Sequence, residues 1–148
     1  MTSGNTVRID FHSSLGMLDF VQMVSDHIAR MAGLDDDSTH WVSLAVRESV
    51  INAIKHGNCN DVRKRVHVEF TSLQDGGGPG IAILVRDQGC GFDPAVLADP
   101  LAPENILRSN GRGIFLMRSF MDEMTFERVK EGGMQVRMVK RVPQSTLA

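Results

Sequence analysis

Three polar residues near the middle of the chain are spaced so that they share one face of a predicted helix. Glu48, Asn52 and Lys55 lie four and three residues apart, and at about 100° per residue they fall within one narrow sector. Apolar residues fill most of the other positions, so we expect a largely covered helix whose polar groups need partners.

A Mg²⁺ ion with phosphate oxygens would satisfy these groups. The Asn52 carbonyl oxygen is a suitable ligand, because Mg²⁺ prefers oxygen and keeps water and phosphate in its shell. Glu48 could orient or deprotonate a nucleophile near the terminal phosphate, and Lys55 could neutralise phosphate charge. The alternative is an internal Glu48–Lys55 salt bridge with Asn52 exposed to solvent.

A second group of residues follows an apolar segment, 81–85, that is predicted to be a buried strand. Asp87 comes two residues after it, and Gly89 and Gly91 follow with one residue between them. A carboxylate at the end of a strand can accept a hydrogen bond from an exocyclic amine such as that of adenine. The glycines allow the backbone to approach a flat ring closely. The alternative is an ordinary Asp-Gly turn that ends the strand.

A third segment, Gly111 and Gly113 with one residue between them, precedes another predicted helix. The first turn of a helix presents unpaired N–H groups and the positive end of the helix dipole, which both suit phosphate. The pair alone is weak support, because the third glycine of the dinucleotide-binding fingerprint is missing. No P-loop sequence occurs anywhere in the chain.

The pattern of apolar residues predicts the elements that carry these groups. Alternating residues predict strands, and a spacing of three or four predicts helices. The predicted strands are 6–12, 65–72, 81–85, 123–130 and 134–142, the predicted helices are 15–31, 38–57 and 113–121, and 93–110 is predicted to be a loop. Most strands follow one another, so we expect an α+β two-layer sandwich with a mixed, mostly antiparallel sheet and about three helices on one face.

The composition is typical of a soluble globular protein, and the length fits one domain over residues 1–148. The net charge of −2 favours neither nucleic acid nor an anionic membrane. No apolar run approaches the roughly 20 residues that span a bilayer, and no signal peptide is evident, so we expect a cytoplasmic protein. Cys59 and Cys90 are expected to be free thiols rather than a disulfide, and the basic run 63–65 is expected to lie on a solvated loop.

The three groups of residues occur in an order that resembles a known family. The segment from Glu48 to Gly57, the run Asp87 to Phe92, and the pair Gly111 and Gly113 are similar to the N, G1 and G2 boxes of the Bergerat (GHKL) ATP-binding fold. Histidine kinases, gyrase and MutL contain this fold. The boxes span residues 48–117, and the order of the elements extends the resemblance over nearly the whole chain. The resemblance implies ATP and Mg²⁺ as cofactors.

The resemblance also implies a role for each matching residue. Glu48 corresponds to the catalytic base, Asn52 to the Mg²⁺ ligand, and Asp87 to the carboxylate that recognises adenine. Gly89 and Gly91 would shape the adenine pocket, and Gly111 and Gly113 would approach the phosphates. Lys55 matches a lysine that is more typical of histidine kinases.

Residues 93–110 would then form a lid over ATP. Arg108 and Arg112 are candidates for phosphate contact, because a guanidinium matches phosphate oxygens bidentately. Solvated loop charges are the alternative for both arginines.

Within this fold, the segments 48–57 and 111–123 most resemble the anti-sigma-factor serine kinases of the RsbW type. Such a kinase phosphorylates a serine of a small STAS-domain anti-anti-sigma partner, binds and sequesters a sigma factor, and is usually a homodimer. No partnership with nucleic acid or a membrane is implied. Two alternatives remain: an ATP-binding interaction module with little or no kinase activity, and a domain cut from a larger phosphatase or sensor protein. The initial methionine favours a complete chain over the second alternative.

Overall fold

The computed structural model describes residues 4–89, 117–130 and 132–143, and in these ranges the elements follow the predicted order. They are strand β1 (Thr6–His12), a 3₁₀ turn (Leu15–Met17), helices α1 (Leu18–Met31) and α2 (Asp36–Asn52), a π-helical turn (Ala53–Gly57), and strands β2 (Arg65–Asp75), β3 (Gly78–Arg86), β4 (Glu123–Arg128) and β5 (Met134–Arg141). Residues 117–120 are also helical and are the described part of the third predicted helix. The predicted loop 93–110 lies outside the described residues.

The strands form a five-stranded sheet in the order β1-β2-β3-β5-β4. Each pairing between these described strands is antiparallel, so the expected parallel component of a mixed sheet is not found among them. The prediction of an α+β sandwich with a mostly antiparallel sheet is confirmed. No helix in the described ranges is long and apolar enough to cross a membrane.

The core lies between one face of the sheet and the helices. The register places Val68 opposite Val85 and Phe70 opposite Ile83, and all four side chains are buried. Helix α2 adds Val42, Val46 and Val50 to the same core. Complete burial of one such side chain stabilises the fold by about 1.5–3 kcal/mol. This packing therefore fixes α2 against the sheet, and with it the position of Glu48 on the opposite side of the helix.

Local hydrogen bonds define both ends of α2. Asp35 precedes the helix in an extended conformation, and its carboxylate accepts a hydrogen bond from Ser38 N at 2.7 Å. This cap starts the helix at Asp36, two residues before the predicted start. At the other end, Asn58 N donates to the Ala53 carbonyl oxygen at 2.7 Å, which is the five-residue spacing of a π-helix.

The expectation of free thiols is wrong for Cys59, which is disulfide-bonded. Cys90, the other cysteine of the sequence, lies outside the described residues. The loop that carries Cys59 is hydrogen-bonded to the segment just before Cys90, because Asn58 Oδ1 accepts from Gln88 N at 2.8 Å. The fold thus brings the segments around residues 58 and 88 together, although they are thirty residues apart in the sequence. The spacing of the two cysteines does not by itself predict this proximity.

Candidate functional site

Helix α2 carries its polar residues on the side that faces away from the core. Glu48 and Asn52 are half-buried, and Lys55, in the π-helical turn, is exposed. Trp41 and Leu44 belong to the same sector of the helix and are 37% and 39% exposed. The prediction of a helix covered on almost all sides is therefore wrong, because α1 and the sheet cover its opposite face.

Glu48 lies in an environment that disfavours its charged form. Desolvation raises the pKa of its carboxyl group above the ordinary value, while electrostatic interactions with His56, Lys55 and Arg47 lower it. The ion pairs found among the described residues do not join Glu48 to Lys55. The internal salt bridge considered above is therefore not formed there, and the Glu48 carboxylate stays available as a proton acceptor.

The Asn52 side chain presents a buried oxygen that lacks a partner. Its Oδ1 atom is inaccessible to solvent and accepts no hydrogen bond within the part of the chain that is described. Such an oxygen carries a desolvation cost that a cation can offset. An amide oxygen is also a ligand that Mg²⁺ accepts alongside phosphate and water. Asn52 thus fits the predicted magnesium ligand, and the alternative of a fully exposed Asn52 does not fit.

Asp87 follows β3 directly and is 7% exposed. Its Oδ1 atom accepts hydrogen bonds from Gly89 N at 2.9 Å and from Met134 N at 3.1 Å. Burial raises the pKa of the carboxyl group to about 6, although both backbone donors and Lys64 act to lower it. Two fixed donors hold one oxygen, so the carboxylate presents its other oxygen, Oδ2, in a defined direction.

The structure requires glycine at position 89 for a reason other than approach to a flat ring. Its φ angle is +78°, and a Cβ atom at this position would lie 1.8 Å from the Gly132 carbonyl oxygen. A side chain is therefore excluded by the backbone of the turn before β5 as well as by the left-handed conformation. Approach to a ligand ring remains an expectation for Gly89.

Gly57 ends the segment that resembles the N box, but the sequence analysis gave it no role in the site. A Cβ atom on Gly57 would lie 2.1 Å from Asp87 Oδ2 and 2.2 Å from Asp87 Cγ. The C-terminal end of α2 and the carboxylate after β3 are therefore in direct contact. The sequence indicates only that a glycine follows His56. The fold shows that the Asp87 side chain occupies the space that a side chain at position 57 would need.

The helical residues 117–120 return to the same helix. Ser49 Oγ donates to Met117 Sδ at 3.8 Å. The ring of Phe120 stacks on Trp41 with 3.9 Å between centroids and 10° between planes. The described parts of all three predicted segments thus meet at α2: Asp87 at its C-terminal end, and the third helix along its side.

Five predicted site residues lie outside the described residues, and so does the predicted lid. They are Gly91, Arg108, Gly111, Arg112 and Gly113. No group of three or more His, Cys, Asp or Glu side chains suited to a metal ion occurs in the described ranges.

Comparison with known proteins shows the family of the chain. A family model described as histidine kinase-like ATPase domain matches residues 13–140. The protein named Serine-protein kinase RsbW from Staphylococcus aureus (strain JH9) is 31% identical over 137 residues, which cover 88% of this chain and 82% of the relative. Its namesake from Staphylococcus epidermidis is 31% identical over 143 residues, covering 92% and 86%. The chain therefore belongs to the histidine kinase-like (GHKL) ATPase family, in its RsbW-like group.

Proposed function

We propose that this chain is a Mg²⁺- and ATP-dependent serine/threonine protein kinase of the anti-sigma-factor type. Membership of the family implies ATP binding, and the similar staphylococcal proteins carry the name Serine-protein kinase. The observation that carries the proposal is the polar face of α2. There the buried Asn52 Oδ1, which lacks a hydrogen-bond partner among the described residues, lies one helical turn from the desolvated Glu48 carboxyl group.

The nucleotide would lie along α2 with its base at the C-terminal end. In the described part of the chain, no donor is bonded to Asp87 Oδ2, so this oxygen is left to accept a hydrogen bond from the adenine amine. The phosphates would extend toward Asn52 and Glu48, and Lys55 would contribute positive charge. From the resemblance, Gly89 and Gly91 would line the base, and Arg108, Gly111, Arg112 and Gly113 would contact the phosphates.

Phosphoryl transfer would then depend on position and charge. The oxygen of a partner serine forms a bond to the γ-phosphorus, the bond from that phosphorus to the bridging oxygen of ADP breaks, and the serine proton passes to Glu48. Desolvation makes the Glu48 carboxylate a better proton acceptor than an exposed glutamate. Mg²⁺, held in part by Asn52 Oδ1, would neutralise phosphate charge.

We propose a STAS-domain anti-anti-sigma protein as the phosphate acceptor. Membership of the RsbW-like group supports this choice. On the same basis we propose that the protein sequesters a sigma factor and acts as a homodimer in the cytoplasm. One ATP-binding domain over residues 1–148 would suffice for these functions.

The test is transfer of the γ-phosphate from labelled ATP to a purified STAS-domain partner. We expect Glu48→Gln to reduce the transfer rate on the order of 10²-fold or more, because a general base contributes about that much. The affinity for ATP should persist, and the exposed Glu127→Gln serves as a matched control that should retain full transfer. Equal labelling by wild type and Glu48→Gln would show that Glu48 is not the base.

The same experiment separates the kinase from an interaction module. If the wild-type protein binds the partner in a nucleotide-dependent manner and transfers no phosphate, the interaction module is the correct function. The affinities for ATP of the Asp87 and Asn52 variants would still report on the nucleotide site in that case.

A further inference from the structure

Asn58 is a completely buried polar residue that joins three segments of the chain. Its exposure is 0%. The side-chain Nδ2 donates to Ser13 Oγ at 3.0 Å and to the Arg65 carbonyl oxygen at 2.9 Å, and Oδ1 accepts from Gln88 N at 2.8 Å. Both donors and the acceptor of the amide are therefore used. A fully satisfied buried amide of this kind holds its neighbours in one arrangement.

The bond to Gln88 acts on the peptide group that immediately follows Asp87. Two further contacts hold the same segment from the same side. Arg65 N donates to Gln88 Oε1 at 2.7 Å, and Lys64 Nζ donates to the Gly89 carbonyl oxygen. Of the basic run expected on a solvated loop, Arg63 is exposed there, Lys64 is half-buried, and Arg65 begins β2. The backbone on the C-terminal side of Asp87 is fixed by the loop that connects α2 with β2.

The backbone of Asn58 is at the same time part of the end of α2. Its N–H closes the π-helical turn through the Ala53 carbonyl oxygen at 2.7 Å. One residue therefore bonds through its backbone to the helix that carries Glu48 and Asn52, and through its side chain to the segment that carries Asp87. The stretch of chain between these two segments is about thirty residues long, and Cys59, next to Asn58, is disulfide-bonded.

We propose that Asn58 is a positioning residue of the nucleotide site, which sets the separation between the phosphate-binding face of α2 and the base-recognising Asp87. This inference rests on the proposed nucleotide site. A nucleotide must contact the α2 face and Asp87 at the same time, so an error in their separation lowers the affinity for the nucleotide. Loss of the Asn58 amide should displace the peptide group after Asp87, and with it the Asp87 carboxylate, while β5 still holds the Asp87 backbone and α2 stays anchored in the core. Recognition of the base should therefore suffer more than recognition of the phosphates.

The experiment compares the dissociation constants of ATP and of purine riboside triphosphate, which lacks the 6-amino group. Wild type should prefer ATP, and Asp87→Ala should lose that preference. We expect Asn58→Ala to reduce the preference on the order of tenfold, which corresponds to about one hydrogen bond. In the Asp87→Ala background, the Asn58→Ala change should have no further effect on the preference.

Two control variants separate positioning from general loss of structure. Ser13→Ala removes one partner of Asn58 Nδ2 and leaves the bond to Gln88 in place. Asn58→Asp keeps the volume and an oxygen acceptor for Gln88 N. Both should lower thermal stability and retain the preference for ATP within about twofold. If Asn58→Ala does not fold, Asn58→Ser replaces it, because its hydroxyl is too short to reach Gln88 N.

The outcomes decide between the possibilities. If Asn58→Ala weakens both nucleotides equally, or weakens neither, Asn58 has only a structural role and the inference is overturned. If Asp87→Ala retains the preference for ATP, the assignment of Asp87 as the base-recognising residue fails, and the role of Asn58 fails with it. A lost preference in Asp87→Ala with an unchanged preference in Asn58→Ala overturns the inference alone.

Discussion

Burial and hydrogen bonding have opposite effects on the pKa of the Asp87 carboxyl group. Burial raises its pKa to about 6, and the backbone donors Gly89 N and Met134 N stabilise the charged form. Two backbone N–H groups hold Oδ1, so a proton on the carboxyl group would reside on Oδ2, and Oδ2 can accept a hydrogen bond from an adenine amine only in the charged form. At neutral pH the folded protein therefore holds a buried negative charge, which lowers its stability and prepares it to bind a base.

We expect Asp87→Asn to increase the free energy of unfolding at neutral pH by about 1–3 kcal/mol, because the amide removes the buried charge and keeps an acceptor for both backbone donors. The folded-state pKa is raised from 3.8 to about 6, so the wild type binds the proton more tightly when folded. Its stability should fall as the pH rises between these two values and then level off. The difference between variant and wild type should therefore be small near pH 4, and urea denaturation over a pH series measures it.

The affinity for ATP should change in the opposite direction. Asp87→Asn should bind ATP more weakly than wild type although it is more stable, and wild-type affinity should decline as the pH falls below about 6. A variant that is less stable than wild type at neutral pH would show that the carboxylate contributes more through its hydrogen bonds than burial costs.

The residues that the sequence could indicate are those whose type conflicts with their surroundings. Glu48 and Asn52 were noticed because they interrupt an apolar helix, and Asp87 because it ends an apolar strand. Gly57 and Asn58 were not, because their roles depend on contacts with a segment about thirty residues away. A glycine and an asparagine after a helix are ordinary residues for its end, so their types gave no further indication.

At the scale of elements, the contact between the end of α2 and the end of β3 is the tightest constraint on the site. Gly57→Ala would place a methyl group 2.1 Å from Asp87 Oδ2 and 2.8 Å from Asp87 Cβ. The Asp87 side chain would have to rotate away. We expect ATP affinity to fall about tenfold or more, in line with the cost of overpacking. Isothermal titration calorimetry provides the measurement.

Gly76→Ala is the matched control for that substitution. Gly76 lies in the turn between β2 and β3, and a Cβ atom there would have no neighbour within 4 Å. Its affinity for ATP should equal that of wild type. If Gly57→Ala also binds ATP normally, Asp87 does not need its present side-chain position.

Strands β2 and β3 are both longer than the sequence pattern and residue propensities predict. Alternation predicted the strand 65–72 and a continuous apolar run predicted the strand 81–85. In the structure β2 extends to Asp75 and β3 already begins at Gly78. Pro79 and Gly80 fell outside the predicted strands, and both residue types disfavour strands. They are paired nevertheless, since the strands on both sides fix the register: Pro79 lies opposite Gln74, and its carbonyl oxygen accepts from Val142 N at 2.8 Å. Tertiary pairing outweighs local preference here.

At the scale of the whole molecule, the nucleotide should act as a link between elements that the chain connects only at a distance. Binding to the folded state alone stabilises it by about 2.7 kcal/mol at a ligand concentration of 100 times Kd. For a chain of this size we expect MgATP to raise Tm by roughly 5–10 °C. Differential scanning fluorimetry should show a much smaller shift for Asp87→Asn at the same concentration.

GTP provides the control, because its base carries an oxygen where adenine carries the amine. Equal increases in Tm with ATP and GTP would indicate binding through the phosphates alone. An ATP shift that Asn52→Ala does not diminish would remove Asn52 from the metal site and leave base recognition unaffected.

The π-helical turn at Ala53–Gly57 holds one residue more than an ordinary helical turn. In evolutionary terms it amounts to a single-residue insertion that the flanking elements tolerate. A homologue without that residue would close a regular turn, and the side chains beyond Asn52 would emerge about 100° out of phase. An ungapped alignment across this place would then match Gly57 and Asn58 to positions that face elsewhere.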